Sequence, residues 1–272
     1  MADGAGTTEY ALELSESERN RYRMMAAVAV QEEASLWRAA GVVEGAAVAD
    51  VGCGPGAVLV ELARLVGPTG RAAGVEPGAA ARAAAREELD SAGFTAEAVP
   101  VLASSAEATG LEPGEWDCVM VRHVLIHTGD APSRIVSHLA SLLRPGGHLY
   151  LVDTDLGALR TTPADEEMEE QQRRYEAFHR SLGNDPHMGP RLPALLADAG
   201  LAVTERVGRW LAVPAVLARS GGPLQAAQDA MIAAGHLDAG ELDRWQAARL
   251  RFAEVPEALV WVPFFVAVGR RL

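Results

Sequence analysis

Val48–Gly56 reads VADVGCGPG, and this stretch decides the fold. Ala46 to Val51 is apolar and β-prone, as a buried strand should be, and a helical pattern starts near Ala57. Between them Gly52, Gly54 and Gly56 allow a sharp turn and a close ligand approach, because none carries a Cβ. The segment GCGPGA also satisfies the dinucleotide pattern G-x-G-x-x-A, so the loop alone leaves two cofactor classes open. Pro55 removes an N–H of the kind that holds phosphate, and Asp50 puts a carboxylate two residues before the first glycine. That charge repels a pyrophosphate and suits a cationic ligand without phosphate.

Downstream, a helical pattern over Ala57–Val66 and a turn at Gly67–Gly70 lead to a second strand, Arg71–Val75, which ends in Glu76-Pro77-Gly78. Glu76 lies 24 residues after Gly52. In a doubly wound sheet that offset places it at the tip of the neighbouring strand, where a carboxylate can accept from both ribose hydroxyls. S-adenosylmethionine, which has a sulfonium, an ammonium, a ribose and no phosphate, answers both requirements. Further strands are expected at Ala96–Leu102, Trp116–Val121 and His148–Val152, separated by helices at Ala79–Ala92 and Pro132–Leu143. This alternation predicts an α/β, doubly wound, Rossmann-like sheet with parallel strands. Ligands of such sheets bind outside the carboxyl ends of the strands. Those ends carry Asp50, Glu76, Ser105, Arg122 and Asp153.

The flanks read as helical covers. Leu14–Ala40 is expected as a helix with Ser15 as N-cap and Glu18 as its capping-box partner. Tyr22, Met25, Ala26, Ala29 and Val30 recur on one face, either to cover the sheet edge or to put Tyr22 and Met25 over a ligand. After Asp155, helices are expected at Thr162–Leu182, Arg191–Ala199, Pro214–Ala234 and Asp238–Ala253, with strands at Leu201–Trp210 and Ala258–Val268. The acidic run Asp165, Glu166, Glu167, Glu169 and Glu170 suits a helix N-terminus. The divisions are an N-terminal helical lid (1–40), a cofactor-binding core (41–155), a lid insertion and helix (156–200), and the end of the sheet with an inserted helical pair (201–272).

Composition narrows the class. A net charge of −13 lacks the basic footprint of a duplex nucleic-acid binder. The two cysteines, Cys53 and Cys118, fall at ends of expected core strands, which suits a reducing cytoplasm and no zinc site. No apolar run approaches the ~20 residues needed to span a bilayer, and no signal peptide is expected.

Several segments, taken in order, resemble class I S-adenosylmethionine (SAM)-dependent methyltransferases, especially UbiE-like small-molecule enzymes of natural-product pathways. VADVGCGPG is similar to the first motif of that family, and GVEP at Gly74–Pro77 to the second. WDCVMVRHVLIH at Trp116–His127 resembles the fourth-strand motif, and LRPGGHLYLVD at Leu143–Asp153 the approach to strand five. GNDPHMGPRLPALLADAGL at Gly183–Leu201 is similar to the segment before strand six, and YALELSESERNRYRMMA at Tyr10–Ala26 to a SAM-covering N-terminal segment. The resemblance implies seven strands ordered 3-2-1-4-5-7-6 with the last antiparallel, helical lid insertions, and SAM as cofactor, leaving S-adenosylhomocysteine as product. It implies cofactor contacts at Tyr10, Tyr22, Met25, Asp50, Gly52, Gly54, Gly56, Glu76, Pro77, Ser105, Ala106 and Arg122, the last through its backbone. One departure is Ser105-Ala106, where the family usually has Asp-Ala facing the adenine.

His123 and His127, at i, i+4 spacing after strand four, are the candidate bases or positioning groups. Asp153 and Asp155 are candidates either for orienting a substrate or for capping the next turn. His179 and His187 lie in the insertion, and Trp210, Trp245, Trp261, Phe178 and Met188 are available as chamber wall or core. The expected activity is methyl transfer to a small-molecule O- or N-acceptor, with a homodimer open. The alternatives are the same fold recruited to a cyclisation or rearrangement and, remotely, a nicotinamide-dependent oxidoreductase.

Overall fold

The computed structural model describes residues 16–220 and 222–272. Tyr10 and Ser15 lie outside the described residues. The core strands are β1 (Ala47–Val51), β2 (Arg71–Val75), β3 (Val101–Leu102), β4 (Trp116–Arg122) and β5 (Leu143–Asp153). They pair in parallel in the order β3-β2-β1-β4-β5. β6 (Arg160–Thr162), β7 (Ala202–Pro214) and β8 (Leu259–Arg270) complete the sheet, all joined through β8. β8 runs antiparallel to β5. β7 occupies one edge of β8 from Leu259 to Arg270, so β5 and the short β6 share the other edge end to end.

The expected order of the seven principal strands holds, and β6 is an eighth strand that the sequence did not announce. It has three residues, too few to show a period. The other differences have local causes. The third strand shrinks to Val101–Leu102 because Thr95–Val99 turns on itself, with the Val99 N–H on the Thr95 carbonyl (3.0 Å), and Pro100 has no donor to offer. The expected helix at 162–182 starts only at Glu166, where the Asp165 side chain accepts from the Met168 N–H at 2.9 Å. The expected helix at 214–234 is broken around Gly222-Pro223 into a 3₁₀ turn and two short helices.

Helices cover both faces. α1 (Glu16–Ala39), α2 (Ala57–Val66) and α3 (Ala79–Ser91) pack on one. α4 (Pro132–Leu142) and α6 (Met188–Asp198) pack on the other. Neighbouring strand residues go to opposite cores, Val48 and Cys118 to the first, Ala49 and Val119 to the second, as the period of a doubly covered strand requires. Each large apolar side chain buried this way contributes about 1.5–3 kcal/mol. α5 (Glu166–Ser181), α7 (Pro223–Ala226), α8 (Gln228–Ala233) and α9 (Ala239–Phe252) form a cap with a small core of its own: Tyr175, Phe178, Met231, Leu237 and Trp245. α9 starts with a full capping box between Asp238 and Glu241. Among the described residues, no helix is long and apolar enough to cross a membrane.

Candidate active site

At the tip of β1 the chain turns through Gly52, Gly54 and Gly56, all with positive φ (75°, 53° and 82°). The turn is pinned to β2, because the N–H groups of Gly52 and Cys53 both reach the Val75 carbonyl (2.7 and 3.1 Å). A Cβ on Gly52 would stand 2.3 Å from Val124 Cγ2, and one on Gly56 would stand 3.0 Å from the Ala85 backbone. Glu76 closes the same corner. One carboxylate oxygen accepts from the Gly54 N–H at 3.0 Å and the other from the Gly78 N–H at 2.8 Å. The Pro77 carbonyl accepts from Arg82. Asp50 is buried at the end of β1, and desolvation pushes its carboxyl up to about 7, opposed by the charge of Arg122. At the tip of β3, Ser105 is exposed and Ala106 buried.

α1 roofs this corner. The Tyr22 ring lies 3.9 Å from the position a Cβ on Gly54 would take. Arg21, one residue before it, pairs with Glu18 at 2.6 Å and reaches Met25 Sδ at 3.2 Å. Three turns further along, Glu33 is 1% exposed and meets Arg122 Nη1 at 2.5 Å and the Tyr150 hydroxyl at 2.7 Å. Sequence reasoning passed over Glu33. Its signal was a carboxylate where the apolar stripe of Ala26, Ala29 and Val30 should continue.

Facing the roof, β4 runs into His123, whose φ of +55° is the one positive value on a non-glycine residue among the described residues. The two histidines therefore do not share a face of one continuous helix, as their spacing had suggested. His123 sits in a left-handed bend and His127 closes a 3₁₀ turn over Leu125–His127. The His123 N–H is held by the Val152 carbonyl at 2.8 Å. Its ring is 30% exposed, and burial together with Arg122 and Arg21 lowers its pKa. His127 meets His179 of α5 with ring centroids 5.2 Å apart, and His179 meets Tyr175 edge-on at 4.6 Å. Burial lowers His127 to about 3 and His179 to about 4, so both imidazoles are neutral at pH 7. His179, only mentioned in passing from the sequence, thus joins the site across 52 residues of chain.

Both aspartates at the end of strand five have structural partners, and Asp155 is the one that caps the turn that follows. Asp153 is fully buried and accepts from the N–H groups of Ile126 and Thr154, both at 3.0 Å. Its nearest approach to His123 Nδ1 is 3.9 Å, beyond a hydrogen bond. Asp155 caps the following 3₁₀ turn at the Gly157 N–H (3.1 Å) and contacts His187 Nδ1 at 2.6 Å. His187 is tied further to Arg180 at 2.8 Å. Of the candidate wall residues, Phe178, Trp245 and Met188 are core, and Trp210 is 51% exposed on β7. Trp261 donates its indole N–H to Thr162 at 2.9 Å.

Residues 49–151 match the family model described as a methyltransferase domain. An uncharacterized 37.1 kDa transposon protein of Streptomyces fradiae is 31% identical over 159 residues, covering 58% of this chain and 44% of that protein. The chain thus spans less than half the length of the curated relative it matches. Among solved structures, a SAM-dependent methyltransferase from Aquifex aeolicus superposes with a TM-score of 0.53 at 17% identity, covering 93% of this chain and 98% of the other. Geranyl diphosphate C-methyltransferase from Streptomyces coelicolor A3(2) superposes with a TM-score of 0.55 at 14% identity, covering 97% and 89%. The sheet and its helices thus have the α/β Rossmann-like fold of these solved methyltransferases, and residues 49–151 carry the match to a methyltransferase domain.

Proposed function

We propose that the whole chain methylates a small-molecule acceptor at oxygen or nitrogen. The observation that carries this reading is the corner beneath α1 where Glu76 closes on the glycine turn beside the buried Asp50, with His123 at the end of the neighbouring strand β4. The donor set suits SAM on chemical grounds. Asp50 is a buried carboxylate that gains from a cation, and Glu76 offers acceptors for ribose hydroxyls beside the glycine turn. Gly52, Gly54 and Gly56 let the backbone come close, Ser105 and Ala106 would hold the adenine end, and Tyr22 above Gly54, with Met25 on the same helix, would cover the cofactor.

When bound, SAM supplies a sulfonium methyl for in-line displacement. The chain's own part is to bind, orient and exclude water. His123 and His127 hydrogen-bond the acceptor as neutral imidazoles. Their lowered basicity makes them orienting groups first and proton acceptors second. Tyr175 and His179 complete the chamber on the cap side. A net charge of −13 argues for a small metabolite over nucleic acid. The setting we propose is natural-product metabolism in the cytoplasm.

Incubating the protein with methyl-labelled SAM and a panel of phenols, alcohols and amines tests the proposal. Labelled product with release of S-adenosylhomocysteine is expected. Product without label would point to the same fold turned to rearrangement, and a folded chain that gives no heat with SAM would sink the reading.

A further inference from the structure

The face of α1 that packs on the sheet carries Tyr22, Ala26, Ala29, Glu33 and Trp37, and Ala40 just past its end continues the stripe. Glu33 is a carboxylate within that apolar stripe, and it is 1% exposed. Burying a charge this deeply is costly unless it is paired and hydrogen-bonded. Glu33 has both. Its Oε2 meets Arg122 Nη1 at 2.5 Å, the Tyr150 hydroxyl at 2.7 Å and the Trp37 indole N–H at 3.3 Å.

The three donors come from different parts of the molecule. Trp37 is one turn along α1, Tyr150 lies in the middle of β5, and Arg122 is the last residue of β4. β4 is the direct neighbour of β1, with Val121 opposite Val51. Arg122 therefore leaves β4 directly beside the tip where Asp50 is buried, and its positive charge opposes the upward push that burial gives that carboxyl. Arg122 is itself only 10% exposed and lies 5.9 Å from the centre of the Phe264 ring. A buried guanidinium between two buried carboxylates can pair with either one. In this structure it pairs with Glu33.

We infer that Glu33 is a positioning residue for the cationic end of the cofactor: it fixes and neutralises Arg122, so that Asp50 stays available to the ammonium group of SAM and does not close on Arg122. The inference rests on the function proposed above and extends it by giving the roof helix a part in choosing the ligand's charge. Tyr22 and Glu33 stand eleven positions apart on α1, about three turns, and so share a face. Seating the helix over the glycine turn and withdrawing Arg122 from Asp50 are then one event.

Titration calorimetry on the full chain with two ligands tests this. SAM carries the ammonium, whereas 5′-methylthioadenosine keeps the adenosine and thioether but lacks the amino-acid end. Glu33→Gln removes the charge at nearly constant size. It should weaken SAM at least about tenfold and leave methylthioadenosine within about twofold, since only the former depends on a free Asp50. Adding Arg122→Gln removes the stranded guanidinium, and the double variant E33Q/R122Q should regain most of the lost SAM affinity. The backbone of residue 122, the part proposed to face the cofactor, is the same in both.

Equal losses for the two ligands would make Glu33 a brace for α1 and nothing more, and would overturn the inference. Unchanged or improved SAM affinity in E33Q would overturn it too, as would a double variant as weak as the single. If E33Q does not fold, Glu33→Asp keeps the charge and shortens its reach, with the same selective loss expected and the same outcomes counting against. A wild-type chain that binds neither ligand removes the SAM reading itself, and this inference with it. A wild-type chain that binds SAM while Glu33 substitutions change nothing removes the inference alone.

Discussion

Asp153 and Ile126 are joined by a 3.0 Å hydrogen bond from the Ile126 N–H to the carboxylate, between the end of β5 and the turn that carries His127. The other carboxylate oxygen takes the Thr154 N–H at the same distance. Asp153→Ala removes the acceptor of two N–H groups beside a fully buried carboxyl that burial lifts to about 7, and each donor left without a partner costs about 1–3 kcal/mol. A loss of roughly 3 kcal/mol in urea unfolding is expected, with weaker acceptor turnover because the His123–His127 bend loses its brace. Full stability in D153A would show that the bend is held by other means.

SAM binding should depend on pH through Asp50. Burial lifts its carboxyl to about 7 in the free protein, and a bound cation favours the ionised form. Binding below pH 7 then releases a proton. Affinity should rise by up to about tenfold per pH unit from pH 5.5 toward 7 and level off above it. Calorimetry in buffers of different ionisation enthalpy reads the proton directly. Asp50→Asn should bind weakly and without this slope.

Glu76 and Glu33 should give opposite ligand patterns. Glu76→Ala frees the Gly54 and Gly78 N–H groups and removes an acceptor for ribose hydroxyls. Both SAM and methylthioadenosine contain that ribose, so both should weaken, by roughly thirtyfold for charge-assisted bonds of this kind. A loss confined to SAM would put the ribose elsewhere.

The glycine turn should not tolerate even one methyl group at Gly52. The residue needs φ near +75°, and its Cβ would fall 2.3 Å from Val124. Gly52→Ala is expected to cost more than about 2 kcal/mol and to abolish SAM binding. By contrast Gly93, also at positive φ, has nothing within 4 Å of its Cβ position. Gly93→Ala should show the backbone strain alone, about 1–2 kcal/mol.

The buried groups should pull stability in two directions as pH falls. Burial lowers His127 to about 3 and His179 to about 4, so below pH 6.5 the unfolded chain takes up protons that these two refuse, and their contribution is lost toward pH 4. Burial lifts Asp50 and Asp153 to about 7, so their protonation in the folded chain adds stability below pH 7. His179→Phe removes one histidine share, so its urea midpoint should gain on that of the parent chain between pH 7.5 and pH 5; an unchanged difference would show that His179 is not held neutral by burial.

The sheet was readable because its signals are local. Glycine turns, apolar runs of strand length and capping residues each declare themselves within a few positions, and so did Glu76 through its offset from Gly52. The cap and the roof were less so. Glu33 meets Arg122 and Tyr150 across 89 and 117 residues, and no window of sequence contains those pairs. Asp153 and Asp155 read equally well as substrate groups or caps until their hydrogen bonds were seen. The aromatic residues stayed open between wall and core for the converse reason. Trp245 and Phe178 face inward and Trp210 outward, yet all three have the same composition signature. His123 was singled out, but the left-handed bend that sets its direction was not, since histidine gives no warning of a positive φ as glycine does.

Tyr175, Phe178, Met231, Leu237 and Trp245 pack mainly on one another and not on the strands. In the function proposed above, Tyr175 and its neighbour His179 would serve the acceptor and the strand tips the cofactor, so the two halves of the reaction would rest on separate hydrophobic units. Substitutions can accumulate in the cap, and the acceptor can change with them, without disturbing the packing beneath the glycine turn. A chain built this way can keep one methyl donor while its lineage explores many methyl acceptors.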